Sequence, residues 1–327
     1  MGAALTGRQL LLTCGLFLTC ATPLLASAGQ PDQMARIGVL DPQGASQFEE
    51  YLVRGLHELG YTEGQNIAIE WRRGAATPEE IRTQAADLER LNVELIVAMG
   101  SPATRAALES TAKPIVMQVG DPVLAGFAAS LARPGGRATG VSIQTTDLNR
   151  KRLELLRQLA PRARRVAYLS NSSNPLAAPD HAEVKKAAQV LGITLQIISA
   201  SNDAEIDAAL QLLRRNAADG VVVTADLTLL ANRAKIARAV REAKLPAVFP
   251  FREYHDVGAL ISYSPNQQEV FHRAATYVDR ILKGAAPAEL PIEQISTYEV
   301  VIDLRIAREM HFKIPRELLY RADEIIR

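Results

Sequence analysis

The chain has 327 residues, 48% hydrophobic and 22% charged, which suffices for two lobes or one large domain with a sizeable core and is too apolar for a disordered chain. Lys plus Arg (37) and Asp plus Glu (36) leave a formal balance of +1, so no basic excess supports a phosphate-binding surface or a nucleic-acid partner. Five histidines and two cysteines leave little material for a metal cluster.

Residues 1–28 have the layout of a secretory signal peptide: Arg8, an apolar run from Leu10 to Leu25, then Ala26-Ser27-Ala28. The competing reading is a single membrane anchor. Against it, the run is short for a span and is interrupted by Thr, Cys and Pro23. Cys14 follows Thr13 and Cys20 follows Thr19, without the small residue that a lipoprotein cleavage site prefers, so a lipid anchor is not favoured. Cleavage after Ala28 removes both cysteines and leaves 36 cations against 36 anions. The expected product is exported to the periplasm, thiol-free and held by its core without disulfides.

Strand-like and helix-like segments then alternate. Arg36–Leu40 reads as a strand. Gln47–Leu59 is helical, with Phe48, Leu52, Leu56 and Leu59 on one face. Asn66–Trp71 is a strand, Pro78–Leu91 a helix, Val93–Met99 a strand, Pro102–Thr111 a helix and Pro114–Val119 a strand. After the Arg133-Pro134-Gly135-Gly136 turn come a strand at Thr139–Ile143 and a helix capped by Asp147 that runs through Leu159.

The alternation restarts with strands at Arg165–Leu169, Thr194–Ile198, Gly220–Thr224, Ala247–Phe251 and Leu260–Tyr263. Between them lie helices at Asp180–Leu191, Ala204–Arg215 and Leu229–Ala243. A helix at Glu269–Lys283, a Pro/Ala-rich link at 285–291, a strand at Tyr298–Asp303, a short helix and a polar tail complete the chain. Two rounds of β-α units predict an α/β protein of two doubly wound lobes with parallel sheets.

In such sheets ligands sit at the carboxyl ends of the strands. The residues there are Asp41, Gly100-Ser101-Pro102, Gly120-Asp121-Pro122, the run Asn171 to Asn174 before Pro175, Asp226, Arg252-Glu253 and Tyr263. Ser before Pro opens a helix whose free amides attract a carboxylate or phosphate, or it is a plain cap with no ligand. Asp121 and Asp226 are acids in opposite halves, either pairing with a ligand ammonium or capping a helix or turn. Tyr263 either touches a ligand or is an ordinary aromatic at an interlobe crossing. Arg252 and Glu253 have each other as partners. The five histidines are scattered, mostly on predicted helices, and read as solvent-facing. No nucleophile elbow, P-loop, dinucleotide fingerprint or metalloprotease motif occurs. No catalytic residue, metal ligand or cofactor is assigned.

Several stretches together resemble a known family: Leu59-Gly60-Tyr61 and Glu63-Gly64-Gln65-Asn66, Gly100-Ser101-Pro102-Ala103, Val119-Gly120-Asp121-Pro122-Val123, Ser130 to Gly136, Thr139-Gly140-Val141-Ser142, Lys151 to Leu156, Asn174-Pro175, Tyr277 to Gly284 and Arg321-Ala322-Asp323-Glu324. They resemble the substrate-binding proteins of ABC importers with the type I periplasmic-binding fold, in the branch that includes tryptophan/tyrosine-type binding proteins. The resemblance implies two lobes joined by three hinge crossings, 34–142 plus 266–292 and 143–265 plus 293–327. It also implies a small polar solute such as an amino acid and a membrane ABC permease as partner; a monomer is expected. Carried over residue by residue, Ser101 and nearby amides would hold a carboxylate and Asp226 the ammonium, with Asp41, Asp121, Asn171, Asn174 and Tyr263 around them. Ser101 stands where the family usually has Thr, and Asn171-Ser172 where it usually has Asn-Pro. A sensory ligand-binding protein of the same fold, signalling to a membrane sensor, is the alternative.

Overall fold

The computed structural model describes residues 34–44, 46–75, 77–215 and 218–327; the expected signal peptide lies outside them. The first half runs β1 (Ala35–Asp41), α1 (Ser46–Glu58), β2 (Ile67–Arg73), α2 (Pro78–Arg90), β3 (Leu95–Met99), α3 (Gly100–Ser110), β4 (Ile115–Val119) and β5 (Ala138–Ser142). The second half runs α4 (Thr145–Leu159), β6 (Arg165–Ser170), α5 (Ala177–Val190), β7 (Thr194–Ser199), α6 (Asp203–Arg214), β8 (Gly220–Val223), α7 (Leu227–Ala231), α8 (Arg233–Glu242), β9 (Ala247–Phe249), a 3-10 turn (Arg252–Val257) and β10 (Ile261–Pro265). The chain ends with α9 (Gln267–Leu282), β11 (Glu293–Gln294), β12 (Tyr298–Asp303), α10 (Leu304–Glu309), α11 (Arg316–Arg321) and β13 (Glu324–Ile326).

Two sheets form. One has the order β11-β5-β4-β3-β1-β2, with every pairing parallel. The other has the order β13-β12-β10-β9-β8-β6-β7 and is parallel except where β12 runs against β10. Continuous apolar runs such as Leu95–Met99 and Gly220–Val223 are buried along their whole length, as expected of strands covered on both faces. Helices α2, α3 and α9 pack on the first sheet, with α1 against α9; α4 packs on β8, β9 and β10 of the second.

The chain passes between the sheets at three places: from β5 into α4, from β10 into α9, and from β11 into β12. Glu293 and Gln294, assigned by sequence to the second lobe, pair with Val141 and Ser142 of the first sheet.

Other boundaries differ for local reasons. Asp147 does not cap α4; the helix opens two residues earlier, after Gln144 in the left-handed region (φ 51°, ψ 48°). Residues 229–243 form two helices broken at Asn232, because Asp226 caps a first short turn at Leu227. The polar tail closes as β13, its edge held by Arg252 paired with Glu324 and not with Glu253. Not all histidines face solvent: His255 is buried, with Nε2 3.0 Å from Ser262 Oγ, and burial lowers its pKa to about 4.

Candidate functional site

A cavity lies where the carboxyl ends of the two sheets meet, the place where sheets of this kind bind ligands. Its lining comes from just past β1, β3, β4 and β5 on one side and just past β6, β8 and β9 on the other. The walls touch. The Phe48 and Phe251 rings are 6.0 Å apart at a steep angle, and Gln43 Nε2 is 3.4 Å from Thr228 Oγ1. The cleft is therefore closed.

Four of the seven residues singled out from the sequence line this cavity: Ser101, Asn171, Asn174 and Asp226. Ser101 does not cap α3. The helix starts one residue earlier, at Gly100, after Met99. The Ser101 hydroxyl is left without a hydrogen-bond partner among the described residues, although the residue is 4% exposed. Asp226 is 5% exposed. It accepts bonds from the Asn174 amide (2.8 Å), the Asn171 amide (3.2 Å to each oxygen) and the backbone N–H groups of Thr228 (2.8 Å) and Leu229 (3.3 Å). It thus caps α7 and is a cavity wall at the same time. Every one of those donors is neutral, so they solvate the carboxylate and leave its charge uncompensated.

The other three stand apart from the lining. Asp41 is fully buried at the end of β1 and accepts from the Gln43 N–H at 3.1 Å, shaping the turn that presents Gln43 to the cavity. No helix comes after Gly120-Asp121-Pro122; the segment turns instead. Asp121 takes the amide (3.0 Å) and hydroxyl (2.7 Å) of Thr146, steadying the first turn of α4 from outside. Tyr263 packs on Tyr298, with ring centroids 5.8 Å apart.

Sequence reasoning misses Gln43, Phe48, Gln118, Asp180 and Thr224 as lining residues. Gln43 and Thr224 are within its reach, one beyond and one at a strand end. Gln118 sits inside β4, and its amide has no hydrogen bond among the described residues. Asp180, expected at a helix start, is instead buried within α5.

Three comparisons place this geometry among known proteins. The family model for ABC transporter substrate binding proteins matches residues 39–326. The chain belongs to that family. A tyrosine-binding protein of Clostridioides difficile (strain R20291) is 24% identical over 254 residues, 77% of this chain and 72% of the relative. The structure of an ABC domain in complex with L-Trp from Streptococcus pneumonia is 26% identical, with TM-score 0.82 over 89% of this chain and 99% of that one. A conserved domain protein from Vibrio cholerae shares the fold at 24% identity, with TM-score 0.84 over 90% of this chain and 100% of that one.

In this ABC substrate-binding protein the floor of the cleft is a buried polar network. Asp180 Oδ1 accepts from Asn149 Nδ2 at 3.0 Å, and Tyr168 donates its hydroxyl to Oδ2. Burial pushes the Asp180 carboxyl up to about 6 and the Tyr168 phenol well above its ordinary value. Arg152, fully buried, donates to Asn149 Oδ1 at 2.6 Å and to the carbonyls of Tyr263 and Pro250. Burial lowers its pKa to about 10. Arg152 and Asp180 are therefore opposite charges bridged by Asn149. His181 Nε2 lies 2.8 Å from Ser170 Oγ, and burial lowers its pKa.

Proposed function

We propose that this protein captures an amino acid in the cleft outside the cytoplasmic membrane and hands it to an ABC permease, acting as a monomer and without catalysing a reaction. The observation that carries this reading is the Asp226 carboxylate. It is buried in the wall of a closed interlobe cavity, is hydrogen-bonded among the described residues by neutral donors alone and is poised for an ammonium. The relatives' ligands, tyrosine and L-Trp, have that group. Opposite it, the Ser101 hydroxyl, without a hydrogen-bond partner among the described residues, and the first-turn amides of α3 suit a carboxylate. Asn171 and Asn174 fix Asp226, while Asp41 and Asp121 shape the segments around the opening. Phe48 and Phe251 offer an apolar wall that suits an aromatic side chain.

The moving bodies are residues 34–142 with 266–294, which keeps the short β11 on the first sheet, and residues 143–265 with 295–327. Ligand that bridges both walls favours the closed form by its differential affinity for it.

The test is calorimetric titration of residues 29–327 with tyrosine, tryptophan, phenylalanine, aliphatic amino acids, sugars and nucleosides. Saturable binding of one amino-acid class, lost in Asp226→Asn, is expected. Binding of a sugar or nucleoside with no amino acid bound would overturn the reading.

A further inference from the structure

We infer that the cavity selects its solute by charge, admitting ammonium compounds whose side chain carries no anion, with Asp180 the residue that bars a second carboxylate. The inference rests on the amino-acid reading for its substrate class and on three separate observations for its direction.

The first is the charge of the lining. Among the described lining residues the acidic groups are Asp180 and Asp226, and no Lys, Arg or His is present. A carboxylate on the solute's α-carbon can be taken by neutral donors. A second carboxylate must be buried with no cation to meet it, which is the expensive case.

The second is where the cation coupled to Asp180 points. Arg152 is completely buried, and its guanidinium N–H groups donate to Asn149 Oδ1, Tyr263 O and Pro250 O. It sits behind Asp180, joined to it through the Asn149 amide, and is not part of the cavity wall. A solute anion therefore meets the acid before the base. Removing the acid exposes the solute to the residual field of Arg152, which is attractive.

The third is the neutral donor set. Gln118 is 6% exposed and lines the cavity with both its amide atoms unbonded among the described residues, and the Ser101 hydroxyl is equally free. These groups recognise hydroxyl, amide or indole N–H functions, and none of them compensates a charge.

Two matched pairs hold shape while one charge changes, para-carboxyphenylalanine against para-carbamoylphenylalanine and glutamate against glutamine; a third pair, hydrocinnamate against phenethylamine, sets an anion against a cation on the same phenylethyl frame. On the wild-type protein the neutral amide should bind more tightly than its carboxylate partner by about tenfold or more, and the amine more tightly than the acid. In Asp180→Asn, checked for an intact melting transition, the amide-to-carboxylate ratio should fall towards one. Equal or tighter binding of the carboxylates by the wild type would overturn charge selection, even if the variant fails to fold. A folded variant that keeps the full wild-type ratio would overturn the role of Asp180. Preference for phenethylamine over hydrocinnamate with no amino acid bound would keep charge selection and overturn the amino-acid reading. Absence of binding across all pairs would overturn both.

Discussion

The Asn171 side-chain amide lies 3.2 Å from both carboxylate oxygens of Asp226, and the two residues come from different strand ends, after β6 and after β8. The carboxylate is thus aimed by its neighbours while it also caps α7 through the amides of Thr228 and Leu229. The two duties separate by substitution. Asp226→Asn keeps a good capping side chain and removes the charge; Asp226→Ala removes both. Amino-acid affinity should fall more than about tenfold in each. The unliganded protein should lose about 1 kcal/mol of stability in the Ala variant and less in the Asn variant. Calorimetric titration together with urea melts of both variants decides it; unchanged affinity in the Asn variant would remove Asp226 from the ammonium site.

Much of this site is legible in the sequence because strands and their ends are local. Leu95–Met99 is an apolar run and Tyr298–Asp303 a stretch built on Val300, Val301 and Ile302, both strands that announce themselves, and the residues just past the end of a parallel strand face the ligand. Ser101, Asn171, Asn174 and Asp226 are found by that rule. The failures are of another kind. Gln118 is a polar residue within a buried strand, and Asp180 is an acid within a helix; each reaches the cavity through packing between elements distant in the chain. Asp121, expected to cap its own turn or meet a ligand, instead holds Thr146, 25 residues later. The antiparallel β12 and the terminal β13 need pairing partners that periodicity alone does not name.

Gly120 is a clearance that closure needs. A Cβ there would stand 2.5 Å from Thr145 Oγ1 and 2.7 Å from Leu176 Cδ1, although the Gly120 backbone itself is one that any residue adopts. Leu176 precedes α5, on the side of the second sheet, while Thr145 is held beside Gly120 at the crossing by the Gln144 N–H donating to Gly120 O at 2.9 Å. Gly120→Ala should therefore wedge the closed form against Leu176 and also crowd Thr145 in either form. Ligand affinity should drop by about tenfold or more, and ligand-induced compaction in small-angle scattering should disappear. Wild-type compaction on adding ligand to the variant would refute the wedge.

Gln144 sits at the first crossing in the left-handed region, and its Nε2 donates to Ile295 O and to the Tyr298 hydroxyl, both at 3.0 Å, so it ties the first crossing to the third. Its backbone and side chain can be tested separately. Gln144→Ala loses the tie and keeps the unfavourable φ; Gln144→Gly loses the tie and relieves it. The Gly variant should be more stable than the Ala variant by about 1 kcal/mol, the reverse of the order in an ordinary helix, and both should be less stable than wild type. Chemical denaturation of the three proteins checks the order, and Ala above Gly would mean that the left-handed conformation carries no strain.

Burial raises the Asp180 carboxyl from its ordinary 3.8 to about 6, and this has a definite sign in stability. Between those values the folded chain holds a proton that the unfolded chain has released. The unfolded state binds fewer protons, so the contribution of Asp180 to stability falls as pH rises through that window. The destabilising effect is complete above about pH 6 and absent below about pH 4. His255, lowered to about 4 by burial, works in the opposite direction, because the unfolded chain takes up its proton first as pH falls from about 6.5. The two effects oppose each other in the whole-protein curve, so the Asp180 contribution has to be read as a difference. Wild-type stability minus that of Asp180→Asn should be flat from about pH 7 upward and should grow in favour of the wild type as pH falls from about 6 to about 4. Denaturant melts at each pH provide the curve. A difference that stays flat across the whole range would show that Asp180 titrates as an ordinary exposed aspartate and is not the buried acid of the cleft floor.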